Sequence, residues 1–221
     1  MIRKIGFTLA EVLITLGIIG IVAQMTIPTL MNNIDEAQYR SALKKTFSVL
    51  SQATTSIVNE NSGSMAGLCS SAANKHDCLR DIYSEQLRVA KTCDEGVNGC
   101  FPGSSDLREL AGGLLPWGWG VDSSVVMQDG TSIDYYLIYP MCDTPRWGIP
   151  NICGYIVVDV NGLKKPNRMG YDVFWFMLTN SLIKPFGSPD DTYVNDCVTD
   201  PPTGEGTGCA YKALYSTKMF K

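Results

Sequence analysis

MIRKIGFTLAEVLITLGIIGIVAQMTIP, residues 1–28, places Arg3 and Lys4 ahead of a run from Phe7 to Ile27 in which Glu11 is the only charge. At 1.5 Å per residue that run is about 32 Å long as a helix, enough to cross the hydrocarbon core of a bilayer. The basic end is expected to stay on the cytoplasmic side, with the rest of the chain delivered outside. A secretory signal has the same order of charge, and Ile21-Val22-Ala23 offers a weak cleavage site for one. Against a plain signal or anchor stands Glu11, because a carboxylate in hydrocarbon costs a few kcal/mol on even the gentlest scale.

The offsets within this stretch carry a resemblance. Basic leader, Gly6-Phe7-Thr8-Leu9-Ala10-Glu11 and a long apolar helix together resemble the prepilin signature of type IV pilins, type II secretion pseudopilins and competence pseudopilins. In that family a membrane peptidase cuts after the glycine and N-methylates the new terminal phenylalanine, which implies cleavage between Gly6 and Phe7. The resemblance further implies that Glu11 of one subunit neutralises the freed Phe7 amine of a neighbour in a bundle of such helices. A buried charge would then find its partner only on assembly, and wrong registers would be penalised. The alternative is a glutamate eased by the helix dipole and by snorkelling to the interface. Gly17 and Gly20 weaken the helix or let helices pack closely, and Pro28 is expected to bend it.

After Pro28 the pattern becomes that of a soluble amphipathic helix. Tyr39, Leu43, Phe47, Leu50, Ile57 and Val58 fall on one face, and Asn61-Ser62-Gly63 stops the run. Beyond residue 63, Asp77–Lys91 reads as a short helix and Asp106–Ala111 as another turn or two. Strands are expected at Ser124–Gln128, Ser132–Tyr139, Tyr155–Val160 and Asp172–Leu178, with Asp129-Gly130 as a hairpin turn. The fold expected is α+β and pilin-like: a long bent N-terminal helix packed on a small antiparallel β-sheet of three to five strands, with disulfide-tied loops. The chain then divides into a leader (1–6), a transmembrane and assembly helix (7–28), its amphipathic continuation (29–62) and an extracytoplasmic head (63–221).

The 221 residues are 45% hydrophobic with a net charge of −4, which suits a folded domain and offers no general attraction for nucleic acid. Eight cysteines, Cys69, Cys78, Cys93, Cys100, Cys142, Cys153, Cys197 and Cys209, all follow residue 65, and no pair has the Cys-x-x-Cys spacing of a zinc or redox centre. Disulfides between sequence neighbours, 69 with 78, 93 with 100, 142 with 153 and 197 with 209, are the expected staples. They imply a compartment outside the cytosol.

Asp159-Val160-Asn161-Gly162, followed by Pro166-Asn167, Gly170 and Asp172, is the best candidate for a ligand site. Its oxygens suit calcium through Asp159, Asn161 and Asp172. Asn161-Gly162 is equally a tight hairpin signal, and that structural reading is preferred. Trp117 and Trp119 could meet a surface or complete a core, with the core preferred. His76, the only histidine, reads as a solvated loop residue, and Asp190-Asp191 as part of a turn. Nothing patterned for catalysis is present. The expected partners are other pilin or pseudopilin subunits, the prepilin peptidase and the cytoplasmic membrane; the alternative is an exported, membrane-anchored ligand-binding module.

Overall fold

The computed structural model describes residues 8–96, 98–115, 123–199 and 202–216. Two compact units result, residues 1–38 and 39–221.

Helix α1 spans Leu9–Glu60. It begins with a reciprocal cap in which Thr8 Oγ1 accepts from the Glu11 amide at 3.2 Å and Glu11 Oε2 accepts from the Thr8 amide at 2.9 Å. The stretch Leu9–Thr26 is apolar enough and long enough to cross a membrane, and none of it is buried within the chain. The side chains of residues 27–34 lie outside the described residues, and with them the bend expected at Pro28. The helix ends where the sequence places the stop: Ser62 takes a left-handed φ of 55° and the Gly63 amide donates to Val58 O at 2.8 Å, closing a Schellman turn.

The second unit is built on a seven-stranded antiparallel sheet. Its strands are β1 (Val89–Cys93), β2 (Ser123–Met127), β3 (Ser132–Leu137), β4 (Thr144–Arg146), β5 (Ile149–Asp159), β6 (Val173–Thr179) and β7 (Ile183–Pro185), in the order β1-β2-β3-β5-β6-β7 with β4 beside β5. A short pair, β8 (Val198–Thr199) and β9 (Pro202–Thr203), stands apart. Two further helices are α2 (Lys75–Gln86), capped by the Asn74 side chain, and α3 (Cys209–Tyr215).

One face of the sheet is covered by helices. Leu43, Leu50, Ala53 and Ile57 of α1 meet Ile133, Tyr135, Ile156, Val158, Phe174 and Phe176, with Leu79 and Tyr83 of α2 and Ala210 and Ala213 of α3 completing the core. The i, i+3, i+4, i+7 spacing of the α1 residues puts them on one stripe, and each leucine or isoleucine in it contributes about 1.5–3 kcal/mol on burial. Arg40 fastens the helix to α3 by donating from Nε to Ala213 O at 3.1 Å and from Nη2 to Ser216 O. The opposite face is covered by loops carrying Phe101, Leu107, Met169 and Phe186 over Tyr155, Val157, Val173 and Met177. Burial on both faces explains why Tyr155–Val158 reads as an unbroken apolar run rather than an alternating one. Gly154 is the exception by necessity: at the β5–β6 bulge a Cβ there would lie 1.9 Å from Tyr136 O.

The sheet is larger than the three to five strands expected. Val89–Lys91, expected at the end of a helix over Asp77–Lys91, belongs to β1, because pairing with Val126 and Met127 satisfies that backbone better than a further helical turn. Asp106–Ala111 forms turns and a bridge rather than helix, its amides donating to Gly103 O, Asn167 O and Glu205 O.

Candidate functional sites in the helix and the head

Gly6 and Phe7 lie outside the described residues. Glu11 has a local partner that the sequence reading left out: Oε2 accepts from both the amide and the hydroxyl of Thr8, at 2.9 and 2.7 Å. The signal for it was present, since Thr8-Leu9-Ala10-Glu11 has capping-box spacing. Glu11 therefore fixes the start of its own helix whatever else it meets.

The four disulfides are Cys69–Cys78, Cys93–Cys100, Cys142–Cys153 and Cys197–Cys209, the sequential scheme. Each closes a short loop: Cys69–Cys78 and Cys197–Cys209 at the starts of α2 and α3, Cys93–Cys100 at the end of the edge strand β1, and Cys142–Cys153 onto the interior strand β5. Arg80, 5% exposed, links α2 to the Cys93–Cys100 loop by donating to Cys93 O and Asp94 at 2.9 and 2.7 Å, and to Asp77 of its own helix at 3.1 Å.

The structure draws together the acidic turn singled out in the sequence. Strand β5 delivers Asp159 and β6 begins one residue after Asp172, with Asp159 opposite Val173 in the ladder. Both carboxylates are fully buried. Asp172 organises the turn by accepting from the Asn167 amide at 2.9 Å and the Arg168 amide at 2.6 Å. Asp159 Oδ1 accepts from the Asn161 amide at 3.2 Å, whereas Oδ2 has no hydrogen-bond partner among the described residues. The same holds for Asn161 Oδ1, for Asn167 Oδ1 and for the hydroxyl of Ser132, which faces Asp159 across β3 and β5. Burial pushes Asp172 up to about 6 and, with the Asp172 charge beside it, lifts Asp159 well above the carboxylate range. No group of three or more His, Cys, Asp or Glu that could hold a metal occurs among the described residues, so any cation here would rely on amide and hydroxyl oxygens as well.

The turn expected at Asn161-Gly162 is formed, the Gly162 amide donating to Asp159 O at 3.3 Å, but it does not close a tight hairpin. The strands are antiparallel neighbours, but residues 160–172 join them in a longer loop folded around Asp172. Ser132 was invisible to sequence reasoning because only the strand register brings it beside Asp159.

His76 is not a solvated loop residue. It lies in α2, its Nδ1 accepts from the Leu137 amide at 3.0 Å, and its ring stacks on Tyr136 at 4.5 Å. From there a stack continues across the sheet through Tyr155 at 4.7 Å to Trp175 at 4.9 Å. Trp117 and Trp119 lie outside the described residues. Asp191 serves its turn, accepting from the Ser188 amide at 2.8 Å and the Tyr193 amide at 2.7 Å, while Asp190 pairs with Lys184. Comparison with family models, with curated proteins and with solved structures gave no match to this chain.

Proposed function

We propose that this chain is a structural filament subunit: a minor pilin or pseudopilin of a type IV pilus or a type II secretion-like filament. In this reading a prepilin peptidase cuts between Gly6 and Phe7 and methylates Phe7. The subunit waits in the cytoplasmic membrane with its head outside, then assembles through its N-terminal helix. The observation that carries the reading is the Leu9–Thr26 span, which is apolar, has no buried residue among the described ones, and carries its only charge, Glu11, in its first turn. Leu13, Ile14, Leu16, Ile18, Ile19 and Ile21 are exposed around the whole circumference, so lipid or other copies of the helix must cover them. The disulfide-tied head suits an oxidising compartment.

The capping box makes the assembly role separable from the local one. Glu11→Gln keeps a side-chain acceptor for Thr8 and removes the charge. If Glu11 pairs with a neighbour's terminal amine, this variant is processed but fails to enter filaments. Normal incorporation would overturn the pairing, and a mature N-terminus near Gln24, read by mass spectrometry, would overturn the filament reading as a whole. A second reading, an exported binding module on a simple anchor, draws on a cavity of about 530 Å³ lined by Trp175, Tyr193, Asp196 and Thr207. It predicts normal maturation when Gly6 is replaced by Lys.

A further inference from the structure

Two Asn-Gly pairs occur in the chain, Asn98-Gly99 and Asn161-Gly162, and the fold treats them oppositely. A glycine after asparagine lacks the Cβ that obstructs the approach of its amide to the asparagine side chain, so both pairs are chemically disposed to spontaneous deamidation. What separates them is whether that side chain and that amide are free to meet.

At Asn161-Gly162 both groups are held. Asn161 Nδ2 donates to the Tyr39 hydroxyl at 3.2 Å and to Lys165 O at 3.4 Å. The Gly162 amide donates to Asp159 O at 3.3 Å, and Gly162 packs so closely on the turn between β2 and β3 that a Cβ would lie 2.3 Å from Gly130 O. Reaction there must first break these contacts, which raises its barrier.

Asn98-Gly99 lies in the loop closed by Cys93–Cys100. The first half of that loop is tied to α2: Arg80 donates to Cys93 O and Asp94, the Glu95 amide donates to Asp77 at 3.1 Å, and Asn74 Nδ2 donates to Glu95 at 2.8 Å. The second half is left open. Asn98 is exposed, and among the described residues neither its side chain nor the Gly99 amide has a hydrogen-bond partner. The one polar contact here is Lys91, whose Nζ donates to Gly99 O at 3.0 Å and stands 3.0 Å from the position of a Gly99 Cβ. Lys91 forms no ion pair among the described residues. It therefore sets a positive charge beside the nitrogen that must become anionic in order to attack.

We propose that Asn98 is a site of spontaneous modification, converting to aspartate and isoaspartate while Asn161 in the same folded chain stays intact. The Gly99 amide gives its proton to water or hydroxide, and its nitrogen attacks Asn98 Cγ. The new C–N bond displaces Nδ2 as ammonia and leaves a cyclic imide. Water then adds to either imide carbonyl and opens the ring to aspartate or isoaspartate, with no oxidant or reductant involved. The product adds one negative charge to the net −4 of the chain, beside Lys91, and the isoaspartyl form lengthens the backbone of the disulfide ring by a methylene group. This inference stands whether or not the chain assembles into filaments.

The test is peptide-mapping mass spectrometry of the full chain in detergent, aged at neutral pH with its disulfides intact, beside the same chain reduced and unfolded in guanidinium. In the folded chain Asn98 is expected to convert at least about tenfold faster than Asn161, because the hydrogen bonds on Asn161 and Gly162 add that much to the barrier. In the unfolded chain the two rates should converge. Lys91→Gln, a change at an exposed position, should slow Asn98 severalfold in the folded chain and leave the unfolded rate unchanged. Conversion of Asn98 no faster than that of Asn161 in the folded chain, or the same ratio of rates folded and unfolded, overturns the proposal. A folded Lys91→Gln variant that ages like the parent overturns the role given to Lys91.

Discussion

Thr54 and Tyr83 offer a double-mutant cycle whose asymmetry follows from one proton. Both residues are fully buried, and their hydroxyls lie 2.6 Å apart where α1 meets α2. Thr54 Oγ1 already donates to Leu50 O at 2.8 Å, so Tyr83 must be the donor between the two. Replacing Thr54 by Val leaves the Tyr83 O–H buried without an acceptor, which costs the full desolvation of a donor, about 2 kcal/mol. Replacing Tyr83 by Phe leaves Thr54 still bonded to Leu50 and forfeits only one net hydrogen bond, about 1 kcal/mol. With both changes no polar group is stranded, so the double variant should resemble Tyr83→Phe, giving a coupling of about 2 kcal/mol. The assay is guanidinium unfolding of the disulfide-intact full chain in detergent, followed by near-ultraviolet circular dichroism, which reports the head rather than the apolar helix. Equal costs for the two single variants, or strict additivity in the double, would refute the assignment of the donor.

Other outcomes follow from the same structure. Tyr135→Phe should stabilise the protein by about 1 kcal/mol, because the Tyr135 hydroxyl is buried in the core without a partner among the described residues; a loss on chemical denaturation would contradict this. Gly187→Ala should cost about 3 kcal/mol or more, since the residue has φ +88° and its Cβ would fall on Gly208 O; a melting temperature within a degree of the parent's would rule it out. Removing the Cys142–Cys153 bridge by double serine substitution should cost about 3 kcal/mol for a loop of that length, read as a lowered denaturation midpoint. Burial holds His76 below its ordinary pKa, against the charges of Glu95 and Asp77 and with that of Lys75. Its contribution to stability is therefore complete above the unfolded-state value, about 6.5, and is lost as pH falls from there through the lower folded-state value. His76→Gln should flatten that part of a melting-temperature profile between pH 7 and 5, and an unchanged slope would exclude it.

The elements most legible in the sequence were those whose signals are local. The α1 stripe Leu43-Leu50-Ile57, its stop at Asn61-Ser62-Gly63 and the Asp129-Gly130 turn between β2 and β3 depend on nothing distant. Where a segment's partner lies far along the chain, local period misleads. Leu87 and Val89 continue a helical spacing from Leu79 and Ile82, yet the pairing of Val89 with Met127 decides for a strand. The first half of β5 was hidden by Asn151 at a φ of 57° and by the bulge before Gly154, which interrupt the alternation a strand should show. The acidic turn between β5 and β6 divides in the same way: Asp159, Asn161, Asn167 and Asp172 share one stretch, whereas Ser132 joins them through register alone.

All eight cysteines lie at or beyond residue 69, and no bridge spans more than 12 residues of sequence. Tension entering through α1 accordingly meets no covalent stop before the sheet: the helix from Tyr39 to Glu60 is held by non-covalent contacts, among them the packing of Leu43, Leu50, Ala53 and Ile57, the Arg40 fork, the Lys45–Asp129 pair and the Thr54–Tyr83 hydrogen bond. Under a sufficient pull that segment shears away first, and the four bridges withhold only their own short loops from the extensible contour. Reducing agent would therefore lengthen the fully stretched chain without changing the force at which the helix lets go.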